Sequence, residues 1–357
     1  MGVKLHDLVV REKIDFSRLE KKIVAIDAPN VILQTMGYVR KDGSQLMVDR
    51  TQRAISHLYG LMYRVNFYYS KKVFPIFCFD GRDSELKRLV TKDLLNDFRF
   101  AKTRYEDAVR KKDWELACQI ATNKEFLWPN ILLESKRLLG LLGVPCVDSP
   151  ASAEAQCAHM VKNKIAHYSN SQDFDSLVFG CPRLVQNLSK SLKKKERGKW
   201  SHVKIEPTVI DLNDTLRKLE IDQFQLVDLV ILIGSDYFVG IKSLGPKKAL
   251  NLLKKHGDVE NIIDNENYNY DFQLVTKRLI KNIRKIFLFP EVLNLVEDLC
   301  WNKPTEFEAI DLMCRDHHLN EERVKTNLKS LAKNYDACKS FFKGGKSMRQ
   351  IALDDFA

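Results

Sequence analysis

Two apolar runs that each end on an aspartate constrain the fold of this chain more than any other feature. Ile23-Val24-Ala25-Ile26-Asp27 is a short β-branched run followed by the turn Ala28-Pro29-Asn30. Val73-Phe74-Pro75-Ile76-Phe77-Cys78-Phe79-Asp80-Gly81 repeats the pattern. Between them, Val31 to Met36 and Ala54 to Tyr69 carry apolar residues at helical spacing. Strand, helix and strand in that order imply an α/β sheet with parallel pairing, in which ligands gather beyond the carboxyl ends of the strands. Two strands each delivering an aspartate there is a site-building pattern. Pro75 cannot donate to a ladder, so it belongs near the start of its strand or beside an edge.

Further along, residues 82 to 128 contain neither Gly nor Pro, and leucines, aromatics and charges recur at roughly helical spacing. One or two long helices projecting from the sheet account for this, and so does a solvated helical insertion. Pro129 is expected to end them, with a further amphipathic helix over Ile131 to Leu142 closed by Gly143. Val144 to Val147 reads as a strand leading into a loop-to-helix entry that ends at Glu154. Ile165 to Tyr168 reads as a buried strand running into Ser171-Gln172-Asp173-Phe174-Asp175. Paired carboxylates at a strand end are costly unless cations sit between them; one capping and one solvated aspartate is the plainer alternative. Residues 190 to 199 form a charged hairpin or loop, and Val209 to Leu219 opens a helix-rich C-terminal region.

A net charge of +11, from 58 Lys+Arg against 47 Asp+Glu, points to a polyanionic partner, most simply nucleic acid. The eight cysteines form no C-x-x-C pair and lie mostly in apolar segments, which favours reduced core thiols over zinc. With no signal-peptide pattern and no bilayer-length apolar run, the expectation is a soluble intracellular protein.

Ile231 to Lys255 adds a different kind of signal. An apolar run ends in Gly234-Ser235-Asp236, and a Gly-rich loop then opens a helix at Gly245-Pro246-Lys247-Lys248. A hard oxygen ligand beside backbone N–H groups and lysines at a helix start can grip a phosphate backbone next to a metal site, or can be a capped turn before an amphipathic helix. Taken together, Asp27, Asp80, Glu154, Asp173, Asp175 and Asp236 make an all-oxygen set that favours Mg²⁺ or Mn²⁺. Two such ions suit in-line phosphodiester hydrolysis.

The sequence A-I-D-A at 25–28, F-D-G at 79–81, A-E-A at 153–155, D-F-D-S-L-V-F-G at 173–180 and G-S-D-Y at 234–237 resembles, in order and spacing, the flap endonucleases, XPG-type 5′ structure-specific nucleases, in an archaeal-like form. The resemblance covers nearly the whole chain. It implies a PIN-like α/β core with a parallel or mixed sheet flanked by helices, a helical arch, and a helix–two-turn–helix C-terminal module. Residues 1–235 would form the nuclease core with the arch at about 82–129, residues 236–340 the DNA-binding region, and residues 341–357 a flexible tail. Asp27, Asp80 and Glu154 look like ligands of one Mg²⁺ ion, and Asp173, Asp175 and Asp236 of a second, with Mn²⁺ as a substitute. Lys87 matches the arch-base lysine that steadies the scissile phosphate. Arg40 and Arg64 fall among basic residues near the substrate, or are surface salt-bridge partners. Gly240, Gly245, Lys247 and Lys248 match the two-turn module, where backbone carbonyls often hold K⁺, and Gly2 matches an N-terminus near the active site. In the tail, Gln350, Leu353 and Phe356 resemble the motif that binds the sliding clamp (PCNA), although Ala357 stands where a second aromatic is usual.

Departures from the family pattern are Ser152 in place of a glutamate, Gln172 in place of an acid, Ser243 in place of a glycine, and an arch lacking its second cation near Leu94. The resemblance implies a monomeric 5′ flap endonuclease and 5′-3′ exonuclease of DNA replication and repair, cytoplasmic in an archaeon or nuclear in a eukaryote. The alternatives are a catalytically weakened paralogue that binds flap DNA and the clamp without cutting efficiently, and a PIN-type ribonuclease.

Overall fold

A computed structural model describes residues 3–36, 47–81, 94–189, 191–196, 199–266, 269–294 and 299–340. Lys87, Arg40, Gly2 and the tail motif Gln350, Leu353 and Phe356 lie outside these residues. The described residues contain nine strands: β1 Glu12–Lys13, β2 Ile23–Asp27, β3 Phe74–Phe79, β4 Cys146–Asp148, β5 Tyr168–Asn170, β6 Arg183–Gln186, β7 Ser191–Glu196, β8 Lys199–Lys204 and β9 Thr208–Asp211. Seven form one mixed sheet in the order β1-β9-β6-β5-β2-β3-β4. Its centre, β5-β2-β3, is parallel, as are the β3–β4 and β5–β6 pairs, while β9 runs antiparallel to both neighbours. From β2 the chain crosses one way to β3 and later the other way to β5, so strand order reverses between β2 and β5. A crevice opens at such a reversal, beyond the carboxyl ends of the strands.

The helices are α1 Ala28–Met36, α2 Ser56–Ser70, α3 Leu94–Arg110, α4 Trp114–Thr122, α5 Lys124–Leu141, α6 Ala153–Lys162, α7 Asp175–Val178, α8 Leu212–Leu219, α9 Gln223–Ile233, α10 Pro246–His256, α11 Val259–Glu266, α12 Lys277–Leu288, α13 Glu306–Ile310 and α14 Glu321–Ser340. All five residues of β2 and all six of β3 are buried, which explains their continuous apolar character. One apolar core runs from Val3 through the sheet to Cys338, so the C-terminal helices share it. A second, small core joins Phe98, Tyr105, Ala117, Ile120 and Phe126 of α3, α4 and the start of α5. The C-terminal half of α5 reaches the main core through Ile131, Leu138 and Leu139.

Several expectations shift by local physics. Pro129 does not end a helix: α5 runs through it, because burial of Phe126 and Ile131 on either side outweighs the one backbone hydrogen bond that proline removes. Ile165 and Ala166 are not strand; their N–H groups both turn back to the Met160 carbonyl and close α6, so the strand begins at Tyr168. Asp175 does not extend a strand but starts the single turn α7. Before the helix-rich region, Thr208–Asp211 forms one more strand, and its Asp211 caps α8 by accepting from the Asp214 N–H at 3.0 Å. The charged stretch after Ser189 is a hairpin, β7 paired antiparallel with β8. Pro75 sits second in β3, opposite Val24 of β2 and ahead of the β4 pairing, which begins at Phe77. Its carbonyl accepts the Trp301 indole N–H at 2.7 Å.

Candidate active site

Adjacent strand ends bring the predicted acids together. Asp27 is the last residue of β2, Asp80 follows the end of β3, and the loop after β5 carries Asp173 and Asp175. Glu154 arrives from the first turn of α6, the helix packed on β2, β3 and β5. Protein donors fix the four aspartates. Asp27 accepts from the Asn30 N–H at 3.3 Å through one oxygen and from the Ser171 hydroxyl at 3.0 Å through the other. Asp80 accepts from the Ala153 N–H at 2.8 Å, tying the β3 end to the start of α6. Asp173 accepts from the Asn30 side-chain amide at 3.0 Å. Asp175 accepts from the Val3 N–H at 2.7 Å, so the buried start of the chain lies against the site.

The electrostatics are those of crowded like charges. Burial first, then the Asp80 carboxylate, raises the affinity of Asp27 for its proton. Glu154 is raised well above the usual carboxylate range by burial, then by Asp175, Asp27 and Asp173. Its Oε1 is shut away from solvent with no hydrogen-bond partner. Half-buried Tyr237 has its hydroxyl raised by burial and then by Asp175, Glu154, Asp80 and Asp236, which places the Gly234–Tyr237 turn at the rim of the acids. The Tyr237 ring stands edge-on to Phe287 at 5.4 Å, anchoring that turn to the C-terminal helices.

Among the described residues, no three His, Cys, Asp or Glu side chains already form a closed metal-binding group. The donors present nevertheless fit a divalent, oxygen-seeking cation. They are carboxylates only, they destabilise one another's charge, and one buried oxygen is orphaned. A cation among them would remove both costs.

Ser152 has a structural role. It is the N-cap of α6, its hydroxyl accepting from the Ala155 N–H at 3.4 Å in front of Glu154. Arg64 is half-buried on α2, donating to the Leu188 carbonyl at 3.0 Å and to Gln34 Oε1 at 3.4 Å, both neutral partners. It lines a cavity of about 480 Å³ with Tyr59, Tyr63 and Arg323.

The two-turn segment between α9 and α10 is tightly crossed. Gly234, at φ +96°, closes α9, and a Cβ there would lie 2.6 Å from the Val239 carbonyl oxygen. A Cβ on Gly240, at φ +81°, would lie 2.5 Å from the Gly234 nitrogen. The Ile241 N–H returns to the Leu232 carbonyl at 2.8 Å. Gly245 is the N-cap of α10 and Pro246 its first residue, leaving Lys247 and Lys248 exposed at the N-terminus. Ser243 adopts φ +66°, a left-handed conformation that explains why glycine is usual there.

Sequence reasoning missed Asn30, Ser171, Tyr237 and the Val3 N–H. For Asn30 a signal existed: a polar amide in the first turn of the helix that follows an aspartate-ended strand.

Comparison with known proteins agrees with this geometry. Residues 1–93 match the XPG N-terminal domain and residues 143–236 the XPG I-region. Flap endonuclease 1 of Methanosarcina acetivorans is 36% identical over 326 residues, covering 91% of this chain and 94% of that protein. Flap endonuclease 1 of Pyrococcus horikoshii is 36% identical over 339 residues, covering 93% and 94%. The solved flap endonuclease-1 from Methanococcus jannaschii superposes with a TM-score of 0.73 at 28% identity, covering 94% of this chain and 99% of that one. The catalytic core of Rad2 in complex with DNA substrate shares the fold, at a TM-score of 0.62, 21% identity and coverage of 90% and 95%. The chain belongs to the flap endonuclease family of XPG-type nucleases, in its archaeal-like form.

Proposed function

We infer that this chain is a structure-specific flap endonuclease, a nuclease that hydrolyses DNA phosphodiesters at flap junctions in replication and repair. The observation that carries this reading is the convergence of Asp27, Asp80, Glu154, Asp173 and Asp175 at adjoining strand ends of a sheet, where burial and then neighbouring carboxylates raise Asp27 and Glu154. Their chemistry favours Mg²⁺, with two ions divided between Asp27, Asp80 and Glu154 on one side and Asp173, Asp175 and Asp236 on the other. Held by these carboxylates, such ions would supply Lewis-acid activation of water and charge stabilisation for the leaving oxygen.

The rest of the reading concerns the chain's own residues. Gly245 and the backbone around it, with Lys247 and Lys248, grip a duplex phosphate at the N-terminus of α10; carbonyls of the same turns suit K⁺. The arch over the site is about 82–129, in which α3, α4 and the start of α5 have their separate core, and Lys87 at the arch base holds the scissile phosphate. Gly2, Arg40 and Arg64 add contacts along the substrate. Gln350, Leu353 and Phe356 dock on a sliding clamp, weakened by Ala357. Selectivity follows the shape of the junction rather than base sequence, so binding falls steeply with salt.

The test is a labelled double-flap DNA incubated with Mg²⁺ and the parent, Asp175→Ala or Ser152→Glu. The parent is expected to cut at the junction and Asp175→Ala to lose on the order of 10²-fold or more in rate. Background-level cutting by the parent that Ser152→Glu restores would replace this reading with that of a binding paralogue. Cleavage confined to RNA flaps would replace it with a ribonuclease.

A further inference from the structure

We propose that Asn30 is a positioning residue that sets the spacing of the two carboxylate groups by bracing Asp173 against Asp27; the proposal rests on the metal-ligand reading above. Asn30 lies in the first turn of α1, at the point where strand order reverses between β2 and β5. The two acids it touches come from opposite sides of that reversal. Its backbone N–H donates to Asp27 Oδ1 at 3.3 Å and its side-chain Nδ2 to Asp173 Oδ2 at 3.0 Å. Asn30 Oδ1 accepts from the Gln172 N–H at 3.0 Å and from Gln34 Nε2 at 2.8 Å. The amide orientation follows from chemistry. A backbone N–H can only donate, so the oxygen must face Gln172 and the NH₂ group must face Asp173.

One short side chain thus holds the Asp173 carboxylate and the backbone just before it, while its own N–H holds Asp27. Gln34 extends the brace outward, since its Oε1 receives Arg64 Nη2 at 3.4 Å. The result is a chain of neutral amides from a guanidinium to a candidate ligand. Ser171 joins the other side, donating to Asp27 and accepting from the Asp173 N–H at 3.2 Å. Neutral donors suit this job. A cation here would compete for the carboxylates, whereas an amide orients an oxygen without neutralising it. Partners of this kind around metal ligands typically change metal affinity by about 10–100-fold when removed.

The test is calorimetric titration of Ca²⁺ into the full chain, combined with thermal melting in EDTA. Asp173→Asn is expected to weaken Ca²⁺ binding; if it does not, the ligand reading fails and takes the brace with it. With that reading intact, Asn30→Leu is expected to weaken binding by about 10–100-fold, with little further loss in an Asp173→Asn background. Unchanged affinity in Asn30→Leu, or a full loss that persists in that background, overturns the proposal while leaving the ligand reading standing. Should Asn30→Leu fail to fold, Asn30→Asp keeps the acceptor for Gln172 but turns an anion toward Asp173. Its melting point in EDTA is expected below the parent's, with a larger rise on adding Ca²⁺. A rise equal to the parent's would overturn the brace.

Discussion

Two clusters of acids among the described residues have opposite characters. At the strand ends, Asp27 and Glu154 are surrounded mainly by other carboxylates, and both hold their protons more tightly than usual. In the middle of α5 and in the loop before α2, Glu134 and Asp49 are also withdrawn from water but sit among basic side chains. Glu134 Oε2 lies 3.1 Å from His57 Nε2 and its Oε1 3.1 Å from His317 Nε2. Asp49 Oδ2 lies 3.2 Å from His317 Nδ1 and 3.0 Å from Arg53 Nη2. Burial would raise these two acids, yet their basic neighbours, His317 first, bring both below the usual range. Arg53 also donates to the Asp316 carbonyl, so the cluster stitches the loop before α2, α5 and the segment before α14 together. A buried acid facing basic groups holds a fold together; buried acids whose charged neighbours are other acids are held together by the fold, and call for a cation from outside.

Opposite signs are therefore expected for matched substitutions. Glu134→Gln breaks a buried ion-pair network and should cost about 3–5 kcal/mol, read as a drop in the urea midpoint in EDTA. Glu154→Gln removes an acid whose ionised form burial and neighbouring carboxylates oppose, and should raise that midpoint under the same conditions while reducing cleavage. A loss of stability in both would erase the distinction between the clusters.

A smaller effect tests the same contrast by pH. His317 is raised above the ordinary value of 6.5 by Asp49 and Glu134, against burial. Its contribution to stability is therefore complete below 6.5 and fades as pH climbs through its folded-state value. The lowered acids act at the other end, losing their contribution as pH falls through their depressed values. His57, lowered by burial, opposes His317 below 6.5; above it, the raised acids Asp27 and Glu154 add to the decline, so the difference made by replacing His317 isolates its share. Urea midpoints for the parent should decline above pH 6.5, and His317→Gln should flatten that decline. The smallest effect lies outside both clusters. Ser243→Gly relieves the left-handed strain at φ +66° and should gain up to about 1 kcal/mol in the same denaturation assay. It gives a scale for what backbone conformation alone contributes.

What the sequence disclosed followed from which forces act locally. Asp27 and Asp80 were legible because a buried parallel strand writes itself as an unbroken apolar run, and the residue that breaks it marks the strand end. Glu154, Asp173, Asp175 and Asp236 were legible by motif spacing. The compensated cluster was invisible: Asp49, Arg53, His57, Glu134 and His317 are scattered over most of the chain, and no local pattern announces that they meet. Pro129 misled because a rule about backbone hydrogen bonds was applied where packing on two cores decides. Ser152 read as a missing acid and proved also to be a helix cap, a role set by α6 and not by the site.

The paired glycines between α9 and α10 carry a mechanical consequence. Gly234 and Gly240 each occupy the space where the other turn's side chain would be, so the two turns bear on one another like the faces of a machined stop. Neither can be shortened, lengthened or rebuilt alone. Asp236 and Lys247 lie on either side of that crossing, so displacing either glycine shifts one relative to the other.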